Sequence, residues 1–144
     1  MNLLVTQKHL TNSLIGKEEY VQLISELCYR MPYGVKVQTI DGGIEELSPM
    51  GLQRAMSTSV AVTKPYLFPL SSMTEEQYEE FAEVCNYNNV YGFEHTKRGY
   101  FSLKQEIELS DLQNILNLFY KHHLDFNFRI EQGLALDATG LNIY

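Results

Sequence analysis

Two prolines four residues apart constrain this chain more than any other feature. They stand in the stretch Lys64-Pro65-Tyr66-Leu67-Phe68-Pro69-Leu70-Ser71-Ser72-Met73-Thr74. Each proline fixes its own φ, lacks an N–H, and pushes the residue before it toward extended geometry. Residues 64–68 are therefore expected to be neither helix nor a regular central strand. Tyr66, Leu67, Phe68 and Leu70 are too apolar to lie in water, so the segment is expected to cross the edge of a core. Thr74 with Gln77 three residues on is a capping box, and Met73 with Tyr78 is the matching hydrophobic staple. A helix is expected to start at this point.

The chain has 144 residues, the size of one domain spanning 1–144, and such a domain buries roughly 70% of its unfolded surface without needing disulfides. Its two cysteines, Cys28 and Cys85, fall on apolar helical stripes. They read as buried reduced thiols, which fits a cytoplasmic chain. No run approaches the ~20 apolar residues of a membrane span. The start lacks a basic region, and polar Thr6-Gln7-Lys8 cuts its apolar run short, so no secretory signal is expected. A formal charge of −7 argues against broad binding to a phosphate backbone. The same charge suits an acidic mimic that occupies a nucleic-acid-binding surface.

Residues 2–15 fit a short helix or an arm equally well. Tyr20, Leu23, Ile24, Leu27, Cys28 and Met31 recur at the helical period, which predicts an amphipathic helix over 17–31. Gly16 would cap it, with Glu19 at the third position and Ile15 stapling onto Tyr20. Pro32 ends it and Tyr33-Gly34 turns the chain. Alternation over 35–40, the turn Asp41-Gly42-Gly43 and a short return over 44–47 predict a hairpin. Ser48-Pro49-Met50-Gly51 breaks that strand, residues 52–59 read as a loop, and 59–63 as a third strand. A helix over 75–86 would bury Tyr78, Phe81, Ala82 and Cys85, and Asn86 would end it. Residues 90–95 and 100–107 are expected to pair as a hairpin. Ser110 and Gln113 form a second capping box, opening a helix that buries Leu112, Ile115, Leu116 and Phe119. The tail from Leu124 is too apolar to stay unpacked. The whole reads as an α+β domain: three main helices packed on a small, mostly antiparallel sheet.

Chemistry-bearing residues are few. Of four histidines, only His122 and His123, with Asp125, form a cluster. Adjacent helical residues point about 100° apart, so the two histidines do not chelate as an i, i+4 pair would. At a helix C-terminus they complement the helix dipole instead. They remain, with Asp125, the only candidate catalytic residues. Ser71-Ser72 lacks a nucleophile elbow, and Gly42-Gly43 is a hairpin turn rather than a phosphate loop. No metal or cofactor site is expected. Glu76, Glu79, Glu80 and Glu83 lie away from the apolar stripe of their helix, either as a solvated face or as a docking surface for a basic partner. They are expected to be exposed and unpaired. Tyr29, Tyr33, Tyr87, Tyr91 and Tyr100 are off the core stripes and suit a contact surface or half-buried sheet positions.

Three pieces, in order, carry a resemblance. They are Glu26-Leu27-Cys28-Tyr29-Arg30-Met31-Pro32-Tyr33-Gly34-Val35, the proline stretch above, and His122-His123-Leu124-Asp125-Phe126 followed by Gly133-Leu134-Ala135-Leu136-Asp137-Ala138. Together they resemble an uncharacterised family of short bacterial proteins often carried by prophages and other mobile elements. The family usually has arginine at the position of Phe68. It usually has tyrosine and glycine soon after the aspartate, where this chain has Asn127 and Phe128. The resemblance implies a bacterial cytoplasm and a mobile-element context, and no activity. The expected function is a non-enzymatic interaction or accessory protein with a protein partner. The alternatives are an enzyme with a site near His122, His123 and Asp125, or an acidic inhibitor of a nucleic-acid-binding protein.

Overall fold

The computed structural model describes residues 16–57, 63–86 and 89–144. The arm at 2–15, the Ile15 staple, residues 59–62 of the third strand and Tyr87 lie outside them. The described residues form five α-helices and two small sheets, an α+β fold. The chain divides into two compact units, Met1–Tyr66 and Leu67–Tyr144.

The first unit opens with α1 (Lys17–Arg30), where the Gly16 N–H donates to Glu19 Oε2 at 2.7 Å. Pro32 sits in the short 3-10 turn that follows, and Gly34 takes φ 74°, a left-handed position that costs glycine little. The hairpin forms as read: β1 (Lys36–Gln38) pairs antiparallel with β2 (Ile44–Glu46). In its turn the Asp41 carboxylate accepts from the Thr39 hydroxyl and the Gly43 N–H, and these bonds hold its pKa below the usual value.

Three expectations for this unit are corrected. Residues 52–57, read as part of a loop over 52–59, instead belong to α2 (Pro49–Ser57). Ser48 Oγ accepts from the Gly51 N–H at 3.0 Å, and Pro49 takes the first helical position, where its missing N–H costs nothing. The buried face of α1 is Leu23, Glu26, Leu27 and Arg30: it keeps Leu23 and Leu27 of the apolar stripe but is rotated so that Glu26 and Arg30 replace Cys28. Glu26 and Arg30 lie one turn apart and pair inside the protein, which leaves Cys28 outside. Cys28 is accordingly exposed, whereas Cys85 is buried.

The second unit is built on β3 (Tyr66–Pro69), β4 (Leu124–Asp125) and β5 (Leu136–Asp137), in the order β4-β3-β5. The proline stretch is thus a central strand, contrary to expectation. Pro65 precedes the strand and Pro69 ends it, so the ladder loses few donors. Between them the Phe68 N–H donates to the His123 carbonyl, and the Leu67 carbonyl accepts from the Ala138 N–H, each at 2.8 Å. Strand β3 pairs parallel with β4, because all of the helical segment between them serves as the crossover that parallel pairing needs. The tail therefore packs by completing this sheet.

Thr74 caps α3 (Glu75–Cys85) as read. The Gln77 N–H donates to Thr74 Oγ1 at 3.1 Å and the Thr74 N–H to Gln77 Oε1 at 3.0 Å. Thr74→Ala should cost about 1 kcal/mol, measured as a lower denaturation midpoint with unchanged cooperativity. Asn86, at φ 61°, ends the helix. The expected hairpin over 90–107 is reduced to one antiparallel bridge, Val90 to Leu103. Gly92 instead starts a short helix, α4 (Phe93–Lys97), with Phe93 against Tyr78 and Thr96 buried. Helix α5 (Leu109–Lys121) begins two residues early, with Glu108 rather than Ser110 at the cap position. Ile115 and Phe119 are buried in the core, but Leu112 is exposed.

The core of this unit joins α3 to α5. Phe81 lies 5.1 Å from Phe101 and 4.6 Å from Phe119, centroid to centroid, and Phe119 stacks on Phe126. Cys85 belongs to the same cluster. Burial first, and Asp111 second, push its thiol up to about 11. Because the thiolate is the nucleophile, a disulfide reagent at pH 8 should titrate one thiol in the native protein and two in denaturant. Rapid native modification of both would contradict the assignment.

Candidate functional site

Helix α5 delivers the sequence-flagged cluster. His122 is its C-cap residue, with its backbone N–H on the Leu118 carbonyl at 3.0 Å. The His122 side chain turns to α3, where its Nε2 meets Glu80 Oε1 at 2.9 Å. Lys121 reaches the other oxygen of the same carboxylate at 3.3 Å. His123 takes φ 56°, which swings it to a different side. Its ring is buried and stacks on Tyr144 at 3.6 Å, with planes 17° apart. Asp125, in β4, is also buried, and its two oxygens accept from the Arg129 N–H at 2.8 Å and the Ile130 N–H at 2.9 Å. That arrangement makes the carboxylate a cap for the loop after β4, since a buried charge must be hydrogen-bonded.

The acidic face divides into two parts. Glu76, Glu79 and Glu83 are exposed, and no ion pair engages them among the described residues. Glu80 departs from expectation: it is half-buried and shared by Lys121 and His122. The cause is the packing of α3 on α5, which brings Lys121 and His122, at the C-terminal end of one helix, to the side of the other. Two features that read as separate in the sequence, the histidine pair and the glutamate row, thus meet at Glu80. The neighbouring Glu79 carboxylate adds to burial in raising the Tyr78 phenol. That hydroxyl donates to the Tyr91 carbonyl at 2.6 Å.

A cleft of about 310 Å³ opens at the carboxyl ends of the parallel pair β3 and β4, with Pro69, Asp125, Arg98 and Glu131 among its lining residues. Arg98 and Glu131 were not flagged by the sequence. They are far apart in the chain and neither lies in a motif, so only the return of the tail onto β3 reveals them. Glu26 and Arg30 were missed for a different reason. Their spacing signals a helical ion pair, but such pairs ordinarily mark the solvent face. Here the Arg30 Nε lies 2.7 Å from Glu26 Oε2, with side chains 0% and 5% exposed. Among the exposed residues are Tyr29, Tyr33, Tyr91 and Tyr100, the tyrosines read as off the core.

Among the described residues, no three His, Cys, Asp or Glu side chains gather as a metal site would. No helix there is long and apolar enough to cross a membrane. No protein-family model, curated protein or solved structure matches the chain.

Proposed function

We propose that this chain acts by contact rather than by chemistry, as a non-enzymatic accessory protein of a phage or other mobile element in the bacterial cytoplasm. It meets a basic protein partner through α3. The observation that carries this reading is the row Glu76, Glu79 and Glu83, exposed and without ion pairs on one helix. Carboxylates at one-turn spacing repel one another, and a basic partner relieves that repulsion as it binds. Glu80, tied to Lys121 and His122, anchors the row to α5, so the face is presented on a fixed element. The overall charge of −7 attracts the same kind of partner at long range. The resemblance described above supplies the mobile-element setting.

Capture from the native host with the wild-type chain and with a Glu76→Gln, Glu79→Gln, Glu83→Gln variant tests this. A basic protein retained by the first and lost by the second is the expected outcome. Identical retention by both contradicts the assignment of the face. Competition by nucleic acid for the captured protein then separates an inhibitor of nucleic-acid binding from other roles.

A second reading, an enzyme with its site near His122, His123 and Asp125, has one observation in its favour: the cleft reaches Asp125. It requires a turnover that Asp125→Asn abolishes while the protein stays folded.

A further inference from the structure

The cleft at the ends of β3 and β4 has a charge pattern that the α3 face does not explain. Its floor is apolar, with Leu70 and Ile130 among its lining residues, and Arg98 and Glu131 both reach it. Neither side chain takes a hydrogen bond or an ion pair among the described residues, and none joins the two to each other. The same two residues, with Tyr100 and Phe128, line an adjoining recess of about 290 Å³. Those two rings are exposed, Tyr100 at 57% and Phe128 at 39%. Phe128 also holds φ 57°, a left-handed conformation that a bulky side chain adopts only at a cost and that concentrates at binding and catalytic sites. Asp125 adds no free acceptor that the ligand must satisfy, because two backbone N–H groups already hold its oxygens.

Small-molecule sites are concave and mostly apolar, with a few polar groups that fix orientation, and run from about 300 Å³ upward. A cation and an anion left unpaired beside one apolar floor match a ligand that carries both charges itself. We propose that this cleft binds a free amino acid with an aromatic side chain. Its carboxylate meets the Arg98 guanidinium, which suits that planar anion. Its ammonium meets Glu131, and its ring lies against Phe128 and Tyr100, as aromatic pairs prefer.

Calorimetric titration of the full-length protein with phenylalanine tests this against two blocked relatives. N-acetylphenylalanine lacks the ammonium and phenylalanine amide lacks the carboxylate. Phenylalanine should bind, and each blocked form should bind about tenfold more weakly, the loss of one charge-assisted contact. Arg98→Gln should lower affinity for phenylalanine about tenfold and leave the amide unchanged, and Glu131→Gln should do the same with respect to the acetylated form. Both residues are exposed, so circular dichroism should show the variants folded. No binding of phenylalanine by the folded wild-type chain overturns the proposal. Equal binding of the free and blocked forms overturns it as well, as does undiminished affinity in both folded variants. The variants leave Glu76, Glu79 and Glu83 untouched, so failure here and failure of the α3 face are independent results.

Discussion

Phe81→Ala should cost about 3–5 kcal/mol of folding stability. The side chain is fully buried, and its ring meets Phe101 and Phe119 from α3, so truncation opens a void where two elements join. A rigid aromatic cluster does not collapse readily into such a space, which places the loss toward the upper part of the range. Leu112→Ala serves as the control. Leu112 sits on α5 but is exposed, and its loss should lie within about 0.5 kcal/mol of zero. Denaturant titration of both variants distinguishes them. Similar midpoints would mean that the helical stripe of α5, rather than its observed face, describes the core.

The second large effect belongs to the buried ion pair of α1. Removing the carboxylate with Glu26→Ala should cost about 3–5 kcal/mol, because the Arg30 guanidinium at 0% exposure loses the oxygen 2.7 Å from its Nε and cannot turn to water. Replacing both residues by apolar ones of similar length, Glu26→Leu with Arg30→Met, should recover part of that loss, since the desolvation of both charges is then removed. The destabilisation by Glu26→Ala should change little with added salt, as screening acts on exposed pairs. A loss below about 1 kcal/mol, of the size typical for an exposed pair, would contradict the burial.

Most features written within four residues were legible in the sequence, the Ser110–Gln113 capping box, which Glu108 displaces, being an exception. The Thr74–Gln77 capping box, the Gly16–Glu19 cap, the Asp41-Gly42-Gly43 turn and the Asn86 stop each depend on neighbours along the chain, and each forms. The role of the proline stretch was not legible. What makes Tyr66–Pro69 a central strand is a bond to His123 on one side and to Ala138 on the other, and no local pattern encodes either. Ser48-Pro49 was ambiguous because a helix start and a strand stop use the same residues. Gly92 misled for the same reason: it reads as a hairpin residue and acts as the cap of α4.

The candidate site divides in the same way. Helix geometry predicts that neighbouring histidines point apart, and His122 and His123 do take different partners, Glu80 and Tyr144, but the cause is the left-handed φ of His123 just past the helix end. That one of the glutamates would be claimed by His122 follows only from α3 lying on α5. The exposure of Glu76, Glu79 and Glu83 was legible because a helix with one apolar stripe must put its charges elsewhere.

The affinity of the captured partner for the wild-type chain and for the Glu76→Gln, Glu79→Gln, Glu83→Gln variant, each at low and high salt, decides whether the α3 face binds. The wild type should bind about tenfold more tightly than the variant at low salt, and the gap should close as salt screens the carboxylates. Equal affinities at both salt concentrations would contradict a role for these three glutamates.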